Sequence, residues 1–414
     1  MSFLKKECFV TDAHHPRANR QSIINEGDRL RLAYCIYSDP RLPAPTGNPH
    51  EKVNLLFLHG STFSKEVWEY IIELFFNKYG SAIGTVIAID AVNHAASYEL
   101  NKGKLGWVCT WEDIGKDAVK VLHDLNLKGG TIVIGHSMGG AAALHAAIVE
   151  KALIDSVVSI EPVCYTDRES FFTKKQVRDA FYKLLRAVHR SIRDTFDTEQ
   201  QYLDFMRNKN FTKTLHPRVL DALLANNTIV DPKTGVTRYR TPKNMQVTAY
   251  ASSIMSTVYL TQSVRGIDGE ELHIIGSKAT WNSPDVAPAL RKGLLYGTAV
   301  DIENGEHLVS LEMPEETFAA MVPFIDKRLR RIQELAKEEH SDNPITPEER
   351  EAYYWRGVAE ADELFTSGQK VLYTRLSRAW VNLSLPVTNE NVFFVSFVSV
   401  VCFVVVNLIY IMQN

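Results

Sequence analysis

The apolar residues of the chain fall into short runs of strand length, separated by longer stretches with helical spacing. Residues 53–58, 85–89, 131–134, 154–160, 272–275 and 298–302 are largely apolar and rich in Val and Ile, the composition of strands buried on both faces. Residues 28–37 instead alternate polar and apolar, which predicts a strand with one wet face. Between the runs, 63–79 places Val67, Ile71, Leu74 and Phe75 on one helical face, and 111–125 does the same with Ile114, Ala118, Val121 and Leu122. Strands alternating with helices predict an α/β fold with a mainly parallel sheet covered on both sides. Right-handed crossovers then gather functional residues at the carboxyl ends of the strands.

Between Tyr165 and Gly266 the alternation stops. Helical patterns cover 176–196, 199–207, 217–225 and 242–258, and the insertion begins just after Glu161, at the carboxyl edge of the sheet. This predicts a helical cap over 166–264, between core segments 1–165 and 265–330. Its aromatic residues Phe171, Phe172, Phe181, Tyr182, Tyr202 and Phe205 suit an apolar substrate. Beyond the core, a charged helical pattern over 325–339 and the start signal Thr346-Pro347-Glu348-Glu349 predict a helical stalk, 331–391. Residues 392–412 carry no charge, and at helical rise they span a hydrocarbon core of about 30 Å. With only Gln413 and Asn414 following, and Arg375 and Arg378 upstream, the segment reads as a transmembrane tail anchor with the body in the cytosol. The absence of a basic segment after it suits the endoplasmic reticulum first and the peroxisome second.

Composition narrows the function further. The 414 residues are 45% apolar with a net charge of −3, so a large core is available and nothing points to nucleic acid. Cys8, Cys35, Cys109, Cys164 and Cys402 are scattered and odd in number, which suits a reducing compartment rather than a disulfide framework and offers no zinc spacing. The start of the chain lacks the apolar stretch of a secretory signal, and Ser2 excludes myristoylation. No metal or cofactor is expected.

The candidate chemistry centres on residues 129–140, Gly-Gly-Thr-Ile-Val-Ile-Gly-His-Ser-Met-Gly-Gly. A β-branched run leads into Gly135-x-Ser137-x-Gly139, and small helix formers follow. A serine on a sharp strand-to-helix turn holds a strained backbone, so the residues two positions away must lack side chains. Ser137 is the candidate nucleophile. A hydroxyl at its own pKa attacks poorly and needs a histidine oriented by a carboxylate. Of the 13 histidines, His307 lies in the loop after the last strand, where the order nucleophile, acid, base places it. His59, His94 and His136 occupy loops of the same edge and read as turn-pinning groups.

His59-Gly60, 90–97, the serine motif and Gly305-x-His307 with Glu312-x-Pro314 together resemble the α/β-hydrolase fold family over 28–165 and 265–330. Leu56-Phe57-Leu58-His59-Gly60-Ser61, Lys65-x-Val67-Trp68-Glu69-Tyr70, Val92-Asn93-His94, Ile160-Glu161-Pro162-Val163 and His307-Leu308-Val309 more narrowly resemble the fungal peroxisomal lipase group. Related acyl-CoA hydrolases and alcohol acyltransferases share that core. The resemblance implies a serine hydrolase cleaving lipid-like acyl esters. Many members place an Asp after the penultimate strand, but that loop here has no carboxylate before Asp285. Glu161 ends the strand after the nucleophile helix, where the acyl-CoA hydrolases have Asp before Pro, and is favoured over Asp285. The oxyanion donors are expected to be the backbone N–H groups of Met138 and Ser61. A thioesterase or acyltransferase would use the same triad, whereas a silent hydrolase fold would serve as a binding protein. Peroxisomal lipases of that group end in a targeting tripeptide, which Met412-Gln413-Asn414 does not match.

Overall fold

The computed structural model of the protein describes residues 3–42, 47–164 and 173–338, with Thr346 and positions 351–352, 354–356 and 358–359. It forms two compact units, 1–343 and 344–414. In the second unit the described positions from 351 to 359 are helical. The segment 392–412 and the stalk beyond 359 lie outside the described residues, as do Phe171 and Phe172. Among the described residues no helix is long and apolar enough to cross a membrane.

Among the described residues the first unit has eleven strands and twelve α-helices. In chain order these are β1 (Lys5–Asp12), β2 (Arg31–Ser38), β3 (Val53–Leu58), α1 (Glu69–Tyr79), β4 (Ile83–Ile89), α2 (Ala95–Asn101) and α3 (Trp111–Leu125). Next come β5 (Gly130–His136), α4 (Met138–Val149), β6 (Ser156–Ile160), α5 (Lys175–Ser191), β7 (Thr195–Phe196), α6 (Glu199–Asn208), α7 (Pro217–Asn226), β8 (Thr228–Val230) and β9 (Thr237–Tyr239). The chain continues with α8 (Lys243–Ala251), α9 (Ser253–Ser263), β10 (Glu270–Gly276), α10 (Val286–Gly293), β11 (Gly297–Ile302), α11 (Val309–Glu312) and α12 (Pro314–Glu338). Eight strands make one sheet in the order β1-β2-β4-β3-β5-β6-β10-β11. The pairs from β4 to β11 are parallel, and β1 and β2 add an antiparallel edge.

The apolar runs are continuous because both sheet faces are covered. Val53, Leu55 and Phe57 pack with Val67, Trp68, Ile71, Phe75, Phe324 and Ile325 on one side. Leu56, Leu58, Ile87 and Ile89 pack with Ile114, Ala118 and Leu122 on the other. Register brings the strand ends level: His136 pairs with Ile160, Ile160 with Ile274, and Gly276 with Ile302.

Four features depart from the sequence expectations. Strand β1 is an additional edge strand, and its Cys8 lies opposite Cys35 of β2 and is disulfide-bonded to it. This corrects the expectation of five reduced cysteines, because a strand that the pattern did not reveal brings the two together. Residues 95–101, for which no helix is predicted, form α2. The insertion expected as helical contains a small antiparallel sheet, β7-β9-β8, beside its helices. Helix α12 runs unbroken across the expected boundary at 330, with Ile332 buried and Arg328 donating to Asp155 Oδ2 at 2.8 Å.

Candidate active site

The turn after β5 holds Ser137 at φ 56°, ψ −115°, as the residue that caps α4. A Cβ on Gly135 would come within 2.1 Å of the Gly139 carbonyl oxygen, and one on Gly139 within 2.1 Å of the Leu58 carbonyl oxygen. Both glycines are therefore required by the turn and by its approach to β3. The Ser137 N–H donates to the Ile160 carbonyl at 2.9 Å, tying the turn to the end of β6.

Three side chains from three strand ends meet in a hydrogen-bonded chain. Ser137 Oγ donates to His307 Nε2 at 3.0 Å. His307 Nδ1 donates to Glu161 Oε2 at 3.2 Å. Glu161 also sits at positive φ, 46°, directly after β6, and its Oε1 accepts the Gly276 N–H at 2.7 Å. One carboxylate oxygen is thus fixed by the β10 backbone while the other faces the imidazole. Asp285, the alternative acid, instead lies exposed at the start of α10. Burial draws the imidazole of His307 down to about 4. It also pushes the Glu161 carboxyl up to about 7, partly offset by the Gly276 N–H.

The other histidines of this edge hold the surrounding loops. His136 Nε2 donates to the His307 carbonyl at 2.8 Å and so fixes that loop. His59 Nδ1 donates to the Gly60 carbonyl at 2.8 Å, and its Nε2 accepts the Ala91 N–H at 3.1 Å. His94 Nε2 accepts the Thr62 N–H at 3.2 Å while its Nδ1 donates to Asn93 Oδ1 at 2.8 Å. These bonds assign each tautomer and pin the 59–62 loop beside the serine turn. Ser61 Oγ donates to Met138 Sδ at 3.5 Å, so the two residues expected to supply the oxyanion N–H groups are neighbours. Met138 opens α4, whose N-terminal amides favour negative charge.

The insertion between β6 and β10 reaches the same region. Tyr239 Oη donates to the Thr62 carbonyl at 3.4 Å, and Asn93 Nδ2 donates to the Met245 carbonyl at 3.2 Å. A cavity of about 50 Å³ is lined by Thr62, Phe205, Met206, Phe211 and Tyr239, among others. Tyr202 is fully buried against Phe196 and Tyr239 and serves packing within the cap, whereas Tyr182 is exposed. Sequence reasoning missed Trp281, whose indole stacks on His307 with centroids 5.2 Å apart and planes at 16°. Its loop drew attention only for having no carboxylate before Asp285, and no local pattern signals a ring stacked across two strand ends. Among the described residues no group of His, Cys, Asp and Glu is arranged to hold a metal ion.

Residues 55–320 match the model of the alpha/beta hydrolase family. Over 327 residues the chain is 29% identical to the peroxisomal membrane protein Lpx1 of Saccharomyces cerevisiae, covering 75% of this chain and 84% of that protein. The crystal structure of that yeast peroxisomal alpha-beta-hydrolase matches with a TM-score of 0.67 at 28% identity, covering 89% of this chain and 99% of that one. A stretch of 130 residues is 29% identical to the sn-1-specific diacylglycerol lipase ABHD11 of Xenopus laevis, covering 31% of this chain and 36% of that protein.

Proposed function

The chain belongs to the alpha/beta hydrolase family, and from that premise we propose that it is a serine hydrolase of lipid-like acyl esters. The observation that carries this reading is the unbroken chain Ser137–His307–Glu161. His307 Nε2 takes the Ser137 proton as Oγ attacks the acyl carbon. The backbone N–H groups of Met138 and Ser61 receive the oxyanion. Collapse breaks the acyl–oxygen bond, and the imidazolium returns its proton to the leaving alkoxide. Water, deprotonated by His307, then attacks the acyl-enzyme, releases the acid and restores Ser137. Glu161 keeps Nδ1 protonated and offsets the positive charge on the ring.

The diacylglycerol lipase similarity favours an acyl ester of a lipid over a small polar ester. We place the cap at 166–264 and a membrane span at 392–412, with peroxisomal association following from the yeast relative. The protein with Ser137→Ala, assayed on acyl esters of graded chain length with and without added alcohol, tests the chemistry. Loss of all hydrolysis is expected, with free acid the main product of the unsubstituted enzyme. Undiminished hydrolysis by Ser137→Ala contradicts the reading. Resistance of the full chain to carbonate extraction from membranes tests the span.

A further inference from the structure

The indole of Trp281 lies nearly parallel to the imidazole of His307, at 5.2 Å between centroids, and the residue is 46% exposed. Tyr250 of α8 meets the same indole, at 6.1 Å and 48°. The loop that carries the indole is itself held, because Asn282 Nδ2 donates to the Pro162 carbonyl at 3.0 Å, directly after Glu161. A flat ring held against another fixes its plane. The in-plane bonds to Ser137 Oγ and Glu161 Oε2 then have a third constraint perpendicular to them. An indole face also carries negative quadrupole density, so it attracts a positive ring more than a neutral one.

We infer that Trp281 is a positioning residue for His307, which holds the imidazole plane and stabilises the imidazolium formed as Ser137 gives up its proton. This inference rests on the triad reading above. The charged and titratable groups around His307 are Glu161 from the end of β6, His136 from the end of β5, and Glu306 beside it in its own loop. Asp301 and Arg291 act on it through Glu161. Of these, Glu161 is the strong partner of the imidazolium. His136 is buried neutral by desolvation and works against a second positive charge. The indole therefore supplies favourable interaction to a ring whose burial disfavours its charged form.

The test compares Trp281→Leu and Trp281→Phe with the unsubstituted protein in two ways. The first is nuclear magnetic resonance titration of the His307 ring nitrogens, alone and in a Glu161→Gln background. The second is kcat and KM on one acyl ester. In Trp281→Leu the imidazole midpoint is expected about half a pH unit lower in both backgrounds, with kcat down about three- to tenfold and KM within about twofold. Trp281→Phe is expected to recover most of both. An unmoved imidazole midpoint in Trp281→Leu overturns the inference, as does a loss confined to KM, which makes Trp281 a wall for substrate only. If the Trp281→Leu chain fails to fold, Trp281→Phe decides: an imidazole midpoint below that of the unsubstituted protein supports the inference, and an equal one overturns it. Because the titration needs no turnover, it reads the stacking claim even if Ser137→Ala retains hydrolysis and the triad reading fails.

Discussion

Ser137 and Glu161 both hold positive φ at adjacent strand ends, conformations that cost about 1–3 kcal/mol each and persist where the surroundings impose them. Together they aim an attacking oxygen and a carboxylate at opposite nitrogens of one ring. Replacing Glu161 by Gln keeps the shape but offers an amide to Nδ1, and a fall in kcat of about 10²–10⁴ is expected from steady-state kinetics. The pH profile sharpens this. With the carboxyl pushed up to about 7 and the imidazole drawn down to about 4, the coupled pair takes its first proton near pH 7. kcat/KM should therefore decline below about pH 7, and in Glu161→Gln the acid limb should move down toward about 4, where burial alone holds His307. An acid limb that does not move on this substitution would argue that Glu161 does not titrate with the base. The nucleophile and base were legible from sequence because a turn motif and chain order constrain them. Glu161 was legible because it ends a strand beside the nucleophile, although one methylene and a backbone N–H from Gly276 decide which of its oxygens reaches the ring.

At the scale of elements, the serine turn depends on a near-collision of backbones. A methyl group at Gly139 would meet the Leu58 carbonyl oxygen, which no side-chain rotation relieves. Gly139→Ala is expected to cost about 3–5 kcal/mol, read as a lower urea midpoint at unchanged slope. An unchanged midpoint would mean that β3 and α4 can separate at no cost. Elements with a strong pattern were readable: α3 spans the predicted 111–125, and β3 the predicted 53–58. Strand β1 was not, because its residues are mostly exposed at the sheet edge and show no two-residue period. Its pairing with β2 is also what brings Cys8 to Cys35. The strands of the cap, two or three residues each, are too short to carry a pattern at all. Helix α2 begins where Asp90 Oδ2 accepts the Ala96 N–H at 3.2 Å and Lys65 Nζ at 2.7 Å. That start signal comes from the preceding strand end and from a distant lysine, not from the helix's own residues.

Over the whole molecule, burial sets the response to acid. His14, His59, His94, His136, His145, His273 and His307 are all held below their ordinary range, with desolvation the largest cause in each. The fold keeps these rings neutral at pH values where the unfolded chain protonates them, so the stability they contribute is present above pH 6.5 and is lost as pH falls toward their folded values. Glu69, Asp117, Glu161 and Glu271 are held above theirs by burial, Glu161 up to about 7 and Glu271 up to about 8, and act in the opposite sense as pH falls. Among the described residues, seven imidazoles against four carboxyls leave a net loss, and the thermal midpoint should fall by about 5–10 °C from pH 6.5 to 4.5. A flat midpoint over that range would contradict the burial assigned to these rings. The α/β architecture and its functional edge were readable at this scale because alternating elements leave few topologies. The stack of Trp281 on His307 was not, since it depends on how two loops fold over the sheet.

The central claim, that Ser137 forms the acyl-enzyme, is tested most directly by mass spectrometry of the protein treated with a fluorophosphonate. The account predicts one adduct, on the peptide containing Ser137, absent in Ser137→Ala and slowed in Glu161→Gln. An adduct that persists in Ser137→Ala, or none on a folded protein that hydrolyses esters, would contradict it.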